Sequence, residues 1–195
     1  DQPFLQGRVL KDYLKLGYVP FTQTRSASRT LEYAYNDYAI GVVAKALGKT
    51  EDAKRYLARS GNWKNLWDDK LGCIHPRYPN GDWVENYSCT YEYPDRSGPW
   101  WDAPFYEGNS LQYSTYVPQD VAGLMAKAGG GEGFVTWLDH LFDGHYSQGN
   151  EPDILAPYLY IHAGRPDRTD EIVRQLMAKH YRASRTGLPG NDDAG

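Results

Sequence analysis

Apolar residues recur at spacings of three and four over most of this chain, and where that rhythm stops, glycine, proline and aromatic residues take over. Val9 to Leu16 reads as a first helix, ended by Gly17 with Pro20 just beyond. Ser28 is placed to cap a second. Within it Leu31, Ala34, Tyr35, Tyr38, Ala39, Val42, Val43 and Ala46 form one stripe, and Gly48 stops it. Thr50 is placed to cap a third, Glu51 to Arg59, with Ala53, Tyr56 and Leu57 on one side. Helical spacing returns with Pro118 to Ala128, which runs into the glycines at 129–131. Phe134 to Phe142 follows, carrying Val135, Leu138 and Leu141, and then Ile154 to His162. Asp167 is placed to cap a last helix whose apolar face is Ile172, Val173, Leu176 and Met177. About seven helices and few strands give a mostly α class, and no repeat of fixed period is present.

Residues 61 to 118 break the pattern. Gly, Pro, Asn, Asp and aromatic residues dominate, and a stretch that long inside a compact domain is expected to hold short strands and ordered loops that line a cleft. Composition sharpens that expectation. Six Trp and 17 Tyr stand against five Phe, and rings with a flat apolar body and a polar tip suit half-wet surfaces such as sugar clefts. The 21 basic and 25 acidic residues leave a net charge of −4, the wrong sign for nucleic acid or anionic lipid. No apolar run is long enough to span a bilayer, and no signal peptide is visible. The two cysteines, Cys73 and Cys89, lack metal-site spacing; they either form a disulfide or stay as thiols.

Familiar nucleophile and zinc motifs are missing: there is no GxSxG and no HExxH. Three acidic turns remain, Tyr106–Ser110, Gly149–Asp153 and Gly190–Gly195. A carboxylate fixed in a turn among aromatic rings can have its pKa raised and act as a proton donor. Two carboxylates on opposite sides of a glycosidic bond are the minimum machinery for hydrolysing it. Any one of them alone is more simply read as a helix cap or a turn stabiliser.

The order of the motifs narrows the choice. Gly17-Tyr18-Val19-Pro20, Thr30-Leu31-Glu32-Tyr33-Ala34-Tyr35 with Asp37, Glu107-Gly108-Asn109-Ser110 with Gln112-Tyr113, Val117-Pro118 with Asp120-Val121, Asn150-Glu151-Pro152-Asp153, Pro157-Tyr158-Leu159-Tyr160 and Gly190-Asn191-Asp192-Asp193 occur in sequence. Together they resemble glycoside hydrolase family 92, calcium-dependent exo-acting α-mannosidases. The resemblance implies part of an (α/α)6 toroid, with residues 1–195 a partial catalytic domain truncated at both ends and the loop region lining its active-site cleft. It implies hydrolysis of terminal α-linked mannose with inversion, Glu107 as general acid and Asp193 as general base, with Asp192 the alternative base. It nominates Asn109, Gln112, Trp101, Asn150, Glu151 and Asn191 for substrate, and Glu151 and Asp153 for Ca2+. It also implies a mannose-containing glycan as partner and a secreted, periplasmic or cell-surface location. Leu111, Gln119, Leu155 and Ile161 depart from the residues usual in the family, which leaves linkage preference open. The rival expectation from another class is a catalytically inactive, carbohydrate-binding helical fragment.

Overall fold

The computed structural model describes residues 9–90, 104–106, 108–149 and 151–189. The fold is mostly α, as the apolar spacing predicts. It forms two compact units that divide after Ser110.

The first unit opens with α1 (Leu10–Leu16), α2 (Ser26–Ala46) and α3 (Thr50–Arg59). Gly17 ends α1 in the left-handed region at φ 78°. A Cβ there would stand 2.6 Å from Asn65 Nδ2, whose amide donates to the Gly17 carbonyl at 2.9 Å. Glycine is therefore required twice over, for the backbone turn and for the close approach.

Helix α2 departs from expectation in both its start and its buried side. It begins at Ser26, so Ser28 lies inside the first turn rather than at the cap. Apart from Leu31, the face it buries in this chain is made of small and polar residues: Ala27, Thr30, Ala34, Asp37, Gly41 and Ala44. Gly41 lets α3 approach so closely that a Cβ would stand 2.8 Å from Leu57 Cγ. Most of the expected stripe faces outward instead, with Tyr35, Tyr38, Val42 and Val43 exposed. Hydrophobic periodicity found the side of the helix that is exposed in this chain rather than the side it buries.

A 3-10 segment, Ser60–Leu66, leads into a two-residue antiparallel pair, β1 (Trp67–Asp68) with β2 (Cys73–Ile74), in the register Trp67 to Ile74 and Asp68 to Cys73. Short strands in the loop region are thus as expected. Of the two readings left open for the cysteines, the structure has the disulfide, Cys73 to Cys89. Inside the loop it closes, the His75 ring stacks on Trp83 at 4.9 Å and on Tyr87 at 4.4 Å. The Arg77 guanidinium lies over Trp83 at 4.5 Å and over Tyr18 at 5.5 Å. The aromatic content that sequence composition flagged is here largely mutual packing.

α4 (Ser110–Tyr113) is a single turn. In the second unit the expected helix at 118–128 is a 3-10 turn, Pro118–Asp120, followed by α5 (Val121–Lys127). Asp120 is the true cap, its carboxylate accepting from Gly123 N at 3.0 Å. α6 (Gly130–Phe142) buries Phe134, Val135, Leu138 and Leu141 as predicted. It starts four residues early, within the glycine run. The expected helix at 154–162 is instead α7 (Glu151–Ile154) and a 3-10 segment, Ala156–Ala163. Pro157 has no N–H to donate into an α ladder, which favours the shorter-range turn. α8 (Pro166–His180) buries Ile172 and Thr169, while Met177 is exposed. Proline opens it, and Asp167 sits in its first turn paired with Arg165 rather than capping it. Tyr160 ties this unit together: it is fully buried, and its hydroxyl donates to Asp139 at 2.7 Å.

Among the described residues no helix is long and apolar enough to cross a membrane.

Candidate functional site

Of the residues nominated from sequence, Glu107, Trp101, Asn150, Asn191, Asp192 and Asp193 lie outside the described residues. The other four, Asn109, Gln112, Glu151 and Asp153, are placed, and each unit is described by itself.

In the first unit the chain approaches position 107 along a tightly held segment. The Pro104 carbonyl accepts from two first-turn amides of α2, Ala27 N at 2.9 Å and Ser28 N at 3.2 Å. Those amides are orphan donors at any helix start, and α2 has no side-chain cap to take them. Phe105 is buried, and the Tyr106 amide donates to Ser28 Oγ at 2.9 Å. The Arg25 guanidinium covers the Tyr106 ring at 4.3 Å. Arg25 itself has a left-handed backbone, φ 51° and ψ 37°. That conformation costs an ordinary L-residue about 1 kcal/mol. Further along, Asn109 is buried and the Ser110 hydroxyl donates to the Ile74 carbonyl. Sequence reasoning missed Arg25 and Ser28, and no spacing rule would have found them: their partners lie about eighty positions away.

In the second unit the carboxylates of α7 separate. Glu151 is exposed, whereas Asp153 is 0% exposed. Two residues along a helix point to nearly opposite sides, so this follows from the geometry of a single turn. Asp153 Oδ2 accepts from Gln112 Nε2 at 3.0 Å and from Ser147 N at 2.8 Å. Its other oxygen, Oδ1, is buried and has no hydrogen-bond partner among the described residues. Burial pushes the Asp153 carboxyl up to about 7, and the donors at Ser147 and Gln112 only partly offset it. The Tyr146 hydroxyl nearby is raised too, first by burial and then by the Asp153 charge. Gln112 is held a second way, its carbonyl accepting from Thr115 Oγ1 at 2.7 Å.

A lone buried carboxylate oxygen is a hard donor of the kind a calcium ion takes. Asp153 therefore fits the metal role in chemistry, although among the described residues no three His, Cys, Asp or Glu side chains gather into a metal cluster. Asp153 lies in one of the three acidic turns singled out from sequence, and burial pushes its carboxyl up.

Comparison with known proteins fixes the context. The sequence profile described as the glycosyl hydrolase family 92 catalytic domain matches residues 1–195. A protein of Arthroderma benhamiae described as an uncharacterized secreted glycosidase is 37% identical over 204 residues, covering 94% of this chain and 25% of that protein. A family 92 α-mannosidase from Bacteroides thetaiotaomicron, solved in complex with mannoimidazole, superposes with a TM-score of 0.85 at 34% identity. That match covers 98% of this chain and 27% of the other. An inverting mannosidase of the same family and species gives 0.83 at 30% identity, over 93% of this chain and 27% of its own. The chain thus spans about a quarter of the length of these relatives. A profile match along every residue, and a shared fold at this identity, have one reading: this chain belongs to glycosyl hydrolase family 92.

Proposed function

We propose that the full-length protein containing this chain removes terminal α-linked mannose from glycans with inversion of configuration. The observation that carries this is the likeness over 98% of the chain to an α-mannosidase that binds mannoimidazole. In this reading residues 1–195 are part of an (α/α)6 catalytic domain.

Glu107, protonated, donates to the glycosidic oxygen as the bond breaks. Asp193, ionised, takes a proton from water on the opposite face of the ring, with Asp192 the alternative. Inversion needs room for that water, so the two carboxyl groups are expected about 6.5–9.5 Å apart. Gln112 and Asn109, with Trp101, Asn150, Glu151 and Asn191, contact the sugar. Asp153, through Oδ1, and Glu151 are the residues that would hold Ca2+. When bound, that ion supplies a hard positive centre for the mannose hydroxyls. The Gln112 amide and the Ser147 N–H, both on Oδ2, keep the Asp153 carboxylate oriented. The disulfide supports a secreted or otherwise extracytoplasmic location, since such bonds persist in oxidising compartments.

The test is the anomer first released from an α-mannoside by the full-length protein, followed by NMR. β-Mannose is expected, and α-mannose as the first product would overturn inversion. Glu107→Gln should slow hydrolysis of a poor leaving group by at least about 10²-fold. An unchanged rate would remove Glu107 from the reaction.

A further inference from the structure

We propose that Asn86 is an acceptor for an N-linked glycan, attached at the turn that leads out of the aromatic loop closed by the Cys73–Cys89 disulfide. The inference takes its compartment from the extracytoplasmic reading above, and its test is chosen to stand apart from that reading.

Asn86-Tyr87-Ser88 is the chain's single run of Asn, any residue but proline, then Ser or Thr. Such a run arises readily by chance, so the fold has to carry the case. A glycan is bulky and hydrated, and its asparagine must stand in solvent on the finished protein. Asn86 and Ser88 are both exposed, while the Tyr87 between them is drawn inward, its ring stacked on His75 at 4.4 Å. That seat is fixed in turn. His75 is buried, with Nδ1 2.9 Å from Asp68 Oδ2 and Nε2 2.8 Å from the Val84 carbonyl. The middle residue of the run is thus anchored, and the two that a glycosyl transfer uses are left outside.

Two other asparagine amides of this unit are spent within the fold. Asn65 Nδ2 donates to the Gly17 carbonyl at 2.9 Å, and Asn80 Nδ2 donates to Asp82 Oδ2 at 2.6 Å. The Asn86 amide makes no such bond among the described residues. Its backbone has φ 54°, a region that asparagine enters more readily than most residues, so the turn alone would account for its presence. The turn does not account for Ser88, whose hydroxyl makes only long contacts, 3.3 Å to Thr90 Oγ1 and 3.4 Å from the Thr90 amide. Cys89, the next residue, is bonded to Cys73, and such bonds form in the oxidising secretory compartment where N-linked transfer also takes place.

The donor is a lipid-diphosphate-linked oligosaccharide. A bond forms between Asn86 Nδ2 and C1 of the reducing-end sugar, and the C1–O bond to the diphosphate breaks. The lipid diphosphate leaves with that electron pair, one amide proton passes to a base, and nothing is oxidised or reduced.

The experiment secretes the full-length protein from yeast behind a yeast secretory leader, so the result does not depend on where the protein resides naturally. The probe is the tryptic peptide spanning 78–96, released after reduction and read by mass spectrometry. The parent peptide is expected to carry an N-acetylhexosamine-based glycan, removable from the folded protein by a peptide N-glycosidase with conversion of Asn86 to aspartate. Asn86→Asp, which suits the same left-handed turn, and Ser88→Ala, which leaves the asparagine in place, should both lose the glycan completely. Ser88→Thr, which preserves the run, should keep it. A bare parent peptide would overturn the proposal, as would a glycan that persists in Ser88→Ala or one released only after unfolding. The location reading is tested separately, by whether the full-length protein leaves the cell behind its own N-terminus; retention there would overturn that reading and leave the result at Asn86 standing.

Discussion

Two of the buried aspartates, Asp37 in the first unit and Asp153 in the second, are treated in opposite ways. Asp37 is 3% exposed and Asp153 is 0% exposed, so both are out of water. Asp37 is neutralised: Arg59 Nε donates to its Oδ2 at 2.6 Å, Arg59 Nη2 donates to Oδ1, and the Tyr13 hydroxyl donates at 2.9 Å. Among the described residues Asp153 has neutral donors alone, both on one oxygen, and its other oxygen has no partner. A buried carboxylate given a guanidinium serves the fold. One left half-satisfied is a poor way to build a core, which makes Asp153 the residue to test for a bound ion. Among buried acids, then, the missing partner is a better guide to chemistry than the burial.

That contrast can be broken at several points. The largest effect should come from Arg59→Met, which strands Asp37 without its cation. A loss of about 3 kcal/mol is expected in urea unfolding of the full-length protein, and a loss under 1 kcal/mol would mean that Asp37 is not held as described. Next is Asp153→Asn. The folded carboxyl titrates near 7, above the ordinary value of about 3.9. The folded state therefore binds more protons across that interval. Stability from neutral Asp153 is complete below about pH 4 and is lost as pH rises through about 7. The asparagine variant should flatten this slope and be more stable above pH 7, by on the order of 2 kcal/mol in metal-free protein. Parallel profiles for the two proteins would place the ionisation elsewhere. On the proposed reading, calcium is expected to reverse the sign for the parent. At about ten times its Kd it should add about 1.4 kcal/mol. Asp153→Asn should abolish that gain, and an undiminished gain would take Asp153 out of the ion's coordination. The smallest effect belongs to Tyr13→Phe, which removes one neutral donor from an acid that keeps its arginine. About 1 kcal/mol is expected in thermal unfolding. A cost above that of Arg59→Met would invert the account of Asp37.

The same pair shows what the sequence makes legible. Helical rhythm finds α1, α3, α6 and α8, most clearly α6, where the buried residues Phe134, Leu138 and Leu141 are large and apolar. It misassigns the buried side of α2, because Ala27, Thr30, Asp37 and Gly41 carry little hydrophobic signal; close backbone approach, not side-chain size, decides that interface. It misplaces the cap of α8, where proline supplies the start, and stretches 118–128 into one helix, where Asp120 divides it. For the site, the run 150–153 is visible as an acidic turn, but the sequence does not say that Asp153 turns inward and Glu151 outward. That depends on α7 being a single turn whose one side is covered. Nor does it say that Gln112 and Ser147 meet at Asp153, which only tertiary folding decides.

The bond between Cys73 and Cys89 has a practical corollary. Between those cysteines Arg77 is the sole trypsin-type position, and the peptide after it leads to Tyr78. A nick there would leave both pieces tethered through sulfur, so the gel band would split only once a reductant is added. Cleavage of this hoop sheds no polypeptide. Under oxidising conditions a scission in this aromatic loop would leave the covalent chain in one piece.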